Sequence, residues 1–198
     1  MLGIANFSLI ELRTVIEDSR ASTIGGINVA LDIFEAAILP AVLHNCETWL
    51  EMSPKTMKLL DDFYNTFFRC ILRCCSGKPK VNFYWQTGST RMENIILSKQ
   101  LMFFHHLANL PVESLAGEVF RIQLENSIPG IVTKCKDHIE KMGNPNPEVE
   151  TKRSWKTKVK KYIATKNRNE LLTESKKYKK LNHDEFQISC HCYKFKIL

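Results

Sequence analysis

Apolar side chains recur along this chain at intervals of three and four residues, and a strand-like alternation at intervals of two is hard to find. The first spacing lines up side chains on one face of a helix, the second on one face of a strand. An all-α fold follows. Leu9, Leu12, Val15 and Ile16 make one stripe over Phe7–Asp18. Gly25-Gly26 separates it from a second stripe over Ile27–Leu43, carried by Ile27, Leu31, Phe34 and Ile38. Pro40 should kink or end that helix, because it lacks a backbone donor and its ring strikes the preceding turn. Ser53-Pro54 is a strong start signal, a hydroxyl cap followed by proline at the first helical position. Leu60, Phe63, Tyr64, Phe67, Ile71 and Cys74 then keep helical spacing, with a stop expected before Gly77 and Pro79. Thr90-Arg91-Met92-Glu93 reads as a capping box. It precedes a face of Met92, Ile95, Ile96, Phe103, Leu107 and Leu110, interrupted by Lys99, which has to snorkel. Shorter helices are expected at 114–126 and 130–141. Phe83-Tyr84-Trp85 reads as a loop that tucks its aromatics under the bundle, with base stacking the less favoured role.

Gly143-Asn144-Pro145-Asn146-Pro147 is the best linker in the chain. The expected organisation is an irregular bundle of five or six helices over 1–142, a linker at 143–150, a basic helical arm at 151–181 and an unstructured tail at 182–198. In the arm, Trp155, Val159, Tyr162 and Ile163 share one stripe. The register then slips: Leu171, Leu172, Ser175 and Tyr178 belong to a second phase, with Asn169 placed to cap a new helix.

Charge follows the same division. Residues 1–130 hold 11 Lys and Arg against 13 Asp and Glu, whereas 131–198 hold 17 against 8. The excess is densest over 151–180, where twelve basic residues face only Glu170 and Glu174. Lys152, Lys156 and Lys160 fall one helical turn apart, with Arg153 beside them, and Lys161 and Arg168 extend the patch. Unmixed positive charge of this density binds phosphate backbones through counterion release, although most charge runs are only solvated helix faces. Trp155 is read as core more readily than as a stacking platform, since Val159 and Tyr162 continue its stripe.

Other chemistries find little support. Cys70, Cys74 and Cys75 lie on a helix, and Cys190-His191-Cys192 lies near the end; neither has the paired short-loop spacing of a zinc site, so no metal is expected. Seven cysteines without a secreted-scaffold pattern fit a reducing compartment, nuclear or cytoplasmic. His44, Cys46 and Glu47 can be drawn as a cysteine-nucleophile trio, but adjacency in sequence is not geometry. His105 and His106 point about 100° apart on a helix and cannot share a ligand. Asp61-Asp62 reads as an outer helix face, and Gly25-Gly26 lacks the lysine of a phosphate-binding loop. No cofactor is expected. Asp32 and Glu35 interrupt the most hydrophobic stretch, and the apolar runs break well before the roughly 20 residues that span a bilayer, so no membrane partner is expected. The first residues lack a basic and then apolar leader pattern.

Four stretches, taken in order, carry a resemblance. The run from Ile38 through Pro40, Leu43 and Glu47 to Trp49 resembles the "ILP…L.Y..E.W" segment that follows the polymerase domain in reverse transcriptases of non-LTR, LINE-like retrotransposons. Phe67-Phe68-Arg69-Cys70-Ile71-Leu72-Arg73 resembles that family's next, aromatic-basic helix. Thr87-Gly88 with Met92-Glu93-Asn94 and Leu101–Leu110 looks like the helix further on. Trp155-Lys156-Thr157-Lys158-Val159-Lys160-Lys161 with Asn167–Leu171 is similar to a basic block downstream. The likeness covers roughly residues 1–181; His183–Leu198 does not share it.

The departures set the functional expectation. The family's polymerase chemistry rests on palm aspartates that include a Tyr-x-Asp-Asp box, and nothing here has that form, since Asp61-Asp62 follows Leu59-Leu60 inside a helix. Fingers, palm and endonuclease have no counterpart in these residues. The resemblance therefore implies a non-catalytic thumb and post-polymerase segment whose partners are RNA or an RNA–DNA hybrid, held with little sequence preference, and the missing palm domain. Lys152, Arg153, Lys156, Lys160, Lys161 and Arg168 are the expected nucleic-acid contacts. The competing expectation is a free-standing helical adaptor whose basic arm docks an acidic partner protein.

Overall fold

A computed structural model describes residues 24–49, 52–72, 79–111 and 113–178, with only the backbone described for 24–28. The fold is all-α. The described residues form seven α-helices and no strand, six of the helices before residue 143 and one after it. The expected helix at Phe7–Asp18 and the tail at 182–198 lie outside the described residues.

Helix α1 (Ile24–Ile33) runs through a π-helical turn (Phe34–Ile38) into one closing α-turn (Leu39–Val42). Pro40 sits at the start of that last turn. It has no N–H to offer and its ring needs room against the turn before it, and a π-widened turn supplies that room. The helix ends two residues later, and a single 3-10 turn (Cys46–Thr48) leads on. Helix α2 (Pro54–Leu72) starts as expected, with Ser53 Oγ accepting the Thr56 N–H at 3.1 Å. It buries Leu60, Phe63, Tyr64, Phe67, Phe68 and Ile71. Cys74 and the expected stop before Gly77 lie outside the described residues.

Phe83-Tyr84-Trp85 is not in a loop. It forms the middle of a short helix, α3 (Lys80–Thr87), which buries Phe83 and Tyr84. The Phe68 ring meets Tyr84 edge-on at 5.5 Å between centroids, and Phe34 stacks on Phe67 at 3.7 Å. Gly88 closes α3 in the left-handed region, φ 67°, which a side chain would strain.

Helix α4 (Met92–Ala108) follows, but the expected capping box does not form. Arg91 is the N-cap, its side chain makes no capping bond, and Glu93 is exposed. The Arg91 backbone N–H instead donates to Asn167 Oδ1 at 3.1 Å, from far along the chain. Helices α5 (Leu115–Glu125) and α6 (Ile131–Lys141) fall where the spacing puts them.

The last helix, α7 (Lys152–Ser175), is continuous. No new helix starts at Asn169, which is exposed in its interior. The buried stripe does not slip either. Trp155, Val159, Ile163, Asn167 and Leu171 keep a strict four-residue interval, with a polar residue in the fourth place. That stripe lies along α4, so the basic segment is packed on the bundle over most of its length. The 143–150 connection is a series of turns tied back to α4: Asn109 Nδ2 donates to the Pro147 carbonyl at 2.9 Å, and His105 Nε2 bonds the Glu150 carbonyl at 2.9 Å.

Two apolar clusters result. One gathers α1, α2, α3, the start of α4 and Leu171. The other gathers the rest of α4 with Phe120, Val132, Cys135, Ile139, Trp155, Val159 and Ile163. Helices α4 and α7 belong to both.

Candidate nucleic-acid interface

Helix α7 has two sides, one packed along α4 and one facing outward. Thr151 caps it, accepting the Ser154 N–H at Oγ1, and there is no acidic residue in its first turn. Lys152 and Arg153 occupy that turn instead, where the positive end of the helix dipole makes a cation unfavourable by about 0.3–1 kcal/mol. Helix stability alone does not ask for them there.

Trp155 is fully buried, its ring lies 5.2 Å from that of His105, and its Nε1–H donates to the Leu101 carbonyl at 3.0 Å. It anchors α7 to α4 and presents no face to a base. Of the expected contacts, Lys152, Arg153, Lys156, Lys161 and Arg168 are exposed and Lys160 is half-buried. They form two rows, not one ridge. Lys152, Lys156 and Lys160 run along the edge beside α4, whereas Arg153, Lys161 and Arg168 turn outward. None of the six makes an ion pair among the described residues. The basic side chains of α7 that do are two others: Lys158 pairs with Glu150, and Lys166 pairs with Glu170 while donating to Asn94 Oδ1 at 2.8 Å. The lysine and serine bonds hold the Glu150 carboxyl below the usual range. The carboxylates of this region are thus spent on residues outside the expected site.

A cleft of about 340 Å³ opens between α4 and α7 along the first row. Ile95, Met102, Val159 and Ile163 make its floor, and Thr90 and Ser98 add hydroxyls. Lys156 and Lys160 stand on one wall and Lys99 on the other, with no Asp or Glu in the lining among the described residues. Lys99, expected only to interrupt an apolar stripe and snorkel, is half-buried at this cleft and is the cation missing from the expected site; the break in the stripe was the available signal. The cleft continues past Ser98, Lys99 and Met102 into a shallower hollow, where Glu47 and Glu150 mix the sign beside Lys152.

No protein-family model, curated protein or solved structure matches the chain. The site is read from its own chemistry.

The other sequence candidates fall apart geometrically. Cys46 is fully buried, and burial pushes its thiol up to about 11, while His44 is exposed. A thiol held there is not a nucleophile at neutral pH. Cys135 is buried likewise, its thiol pushed up to about 12. His105 is buried and His106 exposed. Asp62 is held low chiefly by a hydrogen bond from Lys80 at 2.6 Å, whereas burial raises Asp61. The pair belongs to the α2–α3 contact. Among the described residues, no three His, Cys, Asp or Glu side chains gather closely enough to hold a metal ion, and no helix is long and apolar enough to cross a membrane.

Proposed function

We propose that this chain is a non-catalytic segment of a LINE-like reverse transcriptase, of the thumb and post-polymerase type, that holds RNA or an RNA–DNA hybrid through the phosphates. The observation that carries the reading is the set of six α7 cations without carboxylate partners among the described residues, while Lys158 and Lys166 are neutralised. Unpaired cations on a rigid helix release counterions when they meet phosphates, and they ask for no particular base. The ordered sequence likeness from Ile38 to Leu171 supports the family assignment.

The test is fluorescence anisotropy with labelled RNA at several salt concentrations. If about four phosphates are neutralised, log K falls with log salt at a slope of roughly −3 on a single strand. Replacing Lys152, Lys156 and Lys160 by Ala weakens binding evenly across sequences and flattens that slope. A salt-independent affinity, or one unchanged in the triple variant, overturns the proposal. Primer extension with magnesium or manganese should give no incorporation, because no aspartate box is present to hold two metal ions.

A further inference from the structure

The α4–α7 cleft is shaped for more than phosphate. A ridge that only neutralises a backbone needs no cavity beside it, yet here a small-ligand-sized hollow lies between two cationic walls; its volume of about 340 Å³ is near the lower end of the range for small-molecule sites. Among the described residues its floor is aliphatic, its walls are cationic and its lining holds no carboxylate. An occupant must therefore join an apolar, flat or slender body to anionic groups on both sides. A nucleotide within a strand meets that description. Its base fills the floor, its flanking phosphates reach Lys99 on one side and Lys156 and Lys160 on the other, and Thr90 and Ser98 offer hydroxyls to the base edge.

We infer that the cleft accepts one splayed-out base of a single-stranded RNA. The inference rests on the nucleic-acid reading of α7 and narrows it. A base paired in a duplex cannot leave its stack without losing that pairing, so the site prefers a single strand to a hybrid. Specificity at the one inserted position comes from cleft shape, and the rest of the strand is held by charge.

The experiment compares a labelled oligouridylate with the same strand made abasic and with an RNA–DNA hybrid of equal length. The oligouridylate is expected to bind about tenfold more tightly than the abasic strand, as burying roughly 50 Å² of apolar base surface on the aliphatic floor would give, and more tightly than the hybrid. Ala164 lines the cleft without belonging to its cationic walls. Ala164→Trp fills the space and should remove that tenfold difference while leaving the salt slope unchanged. Ala164→Leu, a smaller filling of the same space, should shrink the difference likewise if the first variant does not fold. Equal binding of the intact and abasic strands, equal binding of the hybrid, or unchanged affinity in a folded cleft-filled variant overturns the inference and leaves the phosphate ridge standing. Displacement of both strands alike by dodecyl phosphate also overturns it, in favour of an aliphatic anion. Loss of salt dependence in the unaltered chain removes the ridge and the cleft together.

Discussion

Trp155 shows how one side chain decides between two functions. A tryptophan amid lysines reads equally as a stacking platform or as a core anchor until its burial and its bond to Leu101 are known. Trp155→Ala should lower stability by about 3–5 kcal/mol in urea unfolding, with RNA affinity of the folded fraction unchanged. His138 makes a second residue-scale case. Its Nδ1 lies 2.7 Å from the Tyr162 hydroxyl, and burial, then Lys141, Lys166 and Lys134, hold its pKa below the usual value, against Asp137. The neutral ring is thus the native form. A histidine depressed in the folded state contributes stability that is complete above its unfolded pKa, about 6.5, and is lost as pH falls through the lower folded value. The melting temperature should therefore drop as pH falls below about 6.5, and His138→Gln should flatten that part of the profile.

At the scale of elements, legibility tracked the number of turns. Helices α2, α4, α5 and α6 repeat their apolar residues often enough for the period to be read, and their positions follow from the sequence. Helix α3 has only eight residues, too few turns for periodicity to speak, and its helix is held by the burial of Phe83 and Tyr84 against α2. Asn167 caused the misreading of α7. A polar residue in a buried stripe looks like a break, and only the partner helix reveals that it is needed. Asn94 Nδ2 donates to its Oδ1 at 3.2 Å and to Glu170 Oε2 at 2.8 Å, while Arg91 pairs with Glu174. The same Oδ1 takes over the start of α4 that a local capping box was expected to serve. Asn167→Ala should cost about 1–3 kcal/mol, because it strands buried donors, and hydrogen exchange at the first turn of α4 should quicken with it. Of the proposed binding face, the exposure of five of the six cations follows from the sequence and the cleft does not, since a cavity between α4 and α7 has no counterpart in one-dimensional spacing.

The whole molecule hangs on two long helices that cross both apolar clusters. Trp49 and Trp85 pack against the first cluster and Trp155 lies within the second, so each cluster carries its own fluorophore. Because α4 and α7 run through both, neither cluster can open without exposing the other. Denaturation followed by Trp155 alone, and by Trp49 and Trp85 alone in a Trp155→Phe chain, should each coincide with the loss of helix measured by circular dichroism on the same chain. Separate midpoints would instead mark two cooperative units. The cap that Asn167 lends to α4 also sets a schedule. It joins residues 76 positions apart. At about 5–20 residues per second, a ribosome needs roughly 4–15 s to make that stretch. Throughout that interval the nascent α4 has an open first turn and an uncovered flank, and any factor that shelters emerging chains meets it in that state.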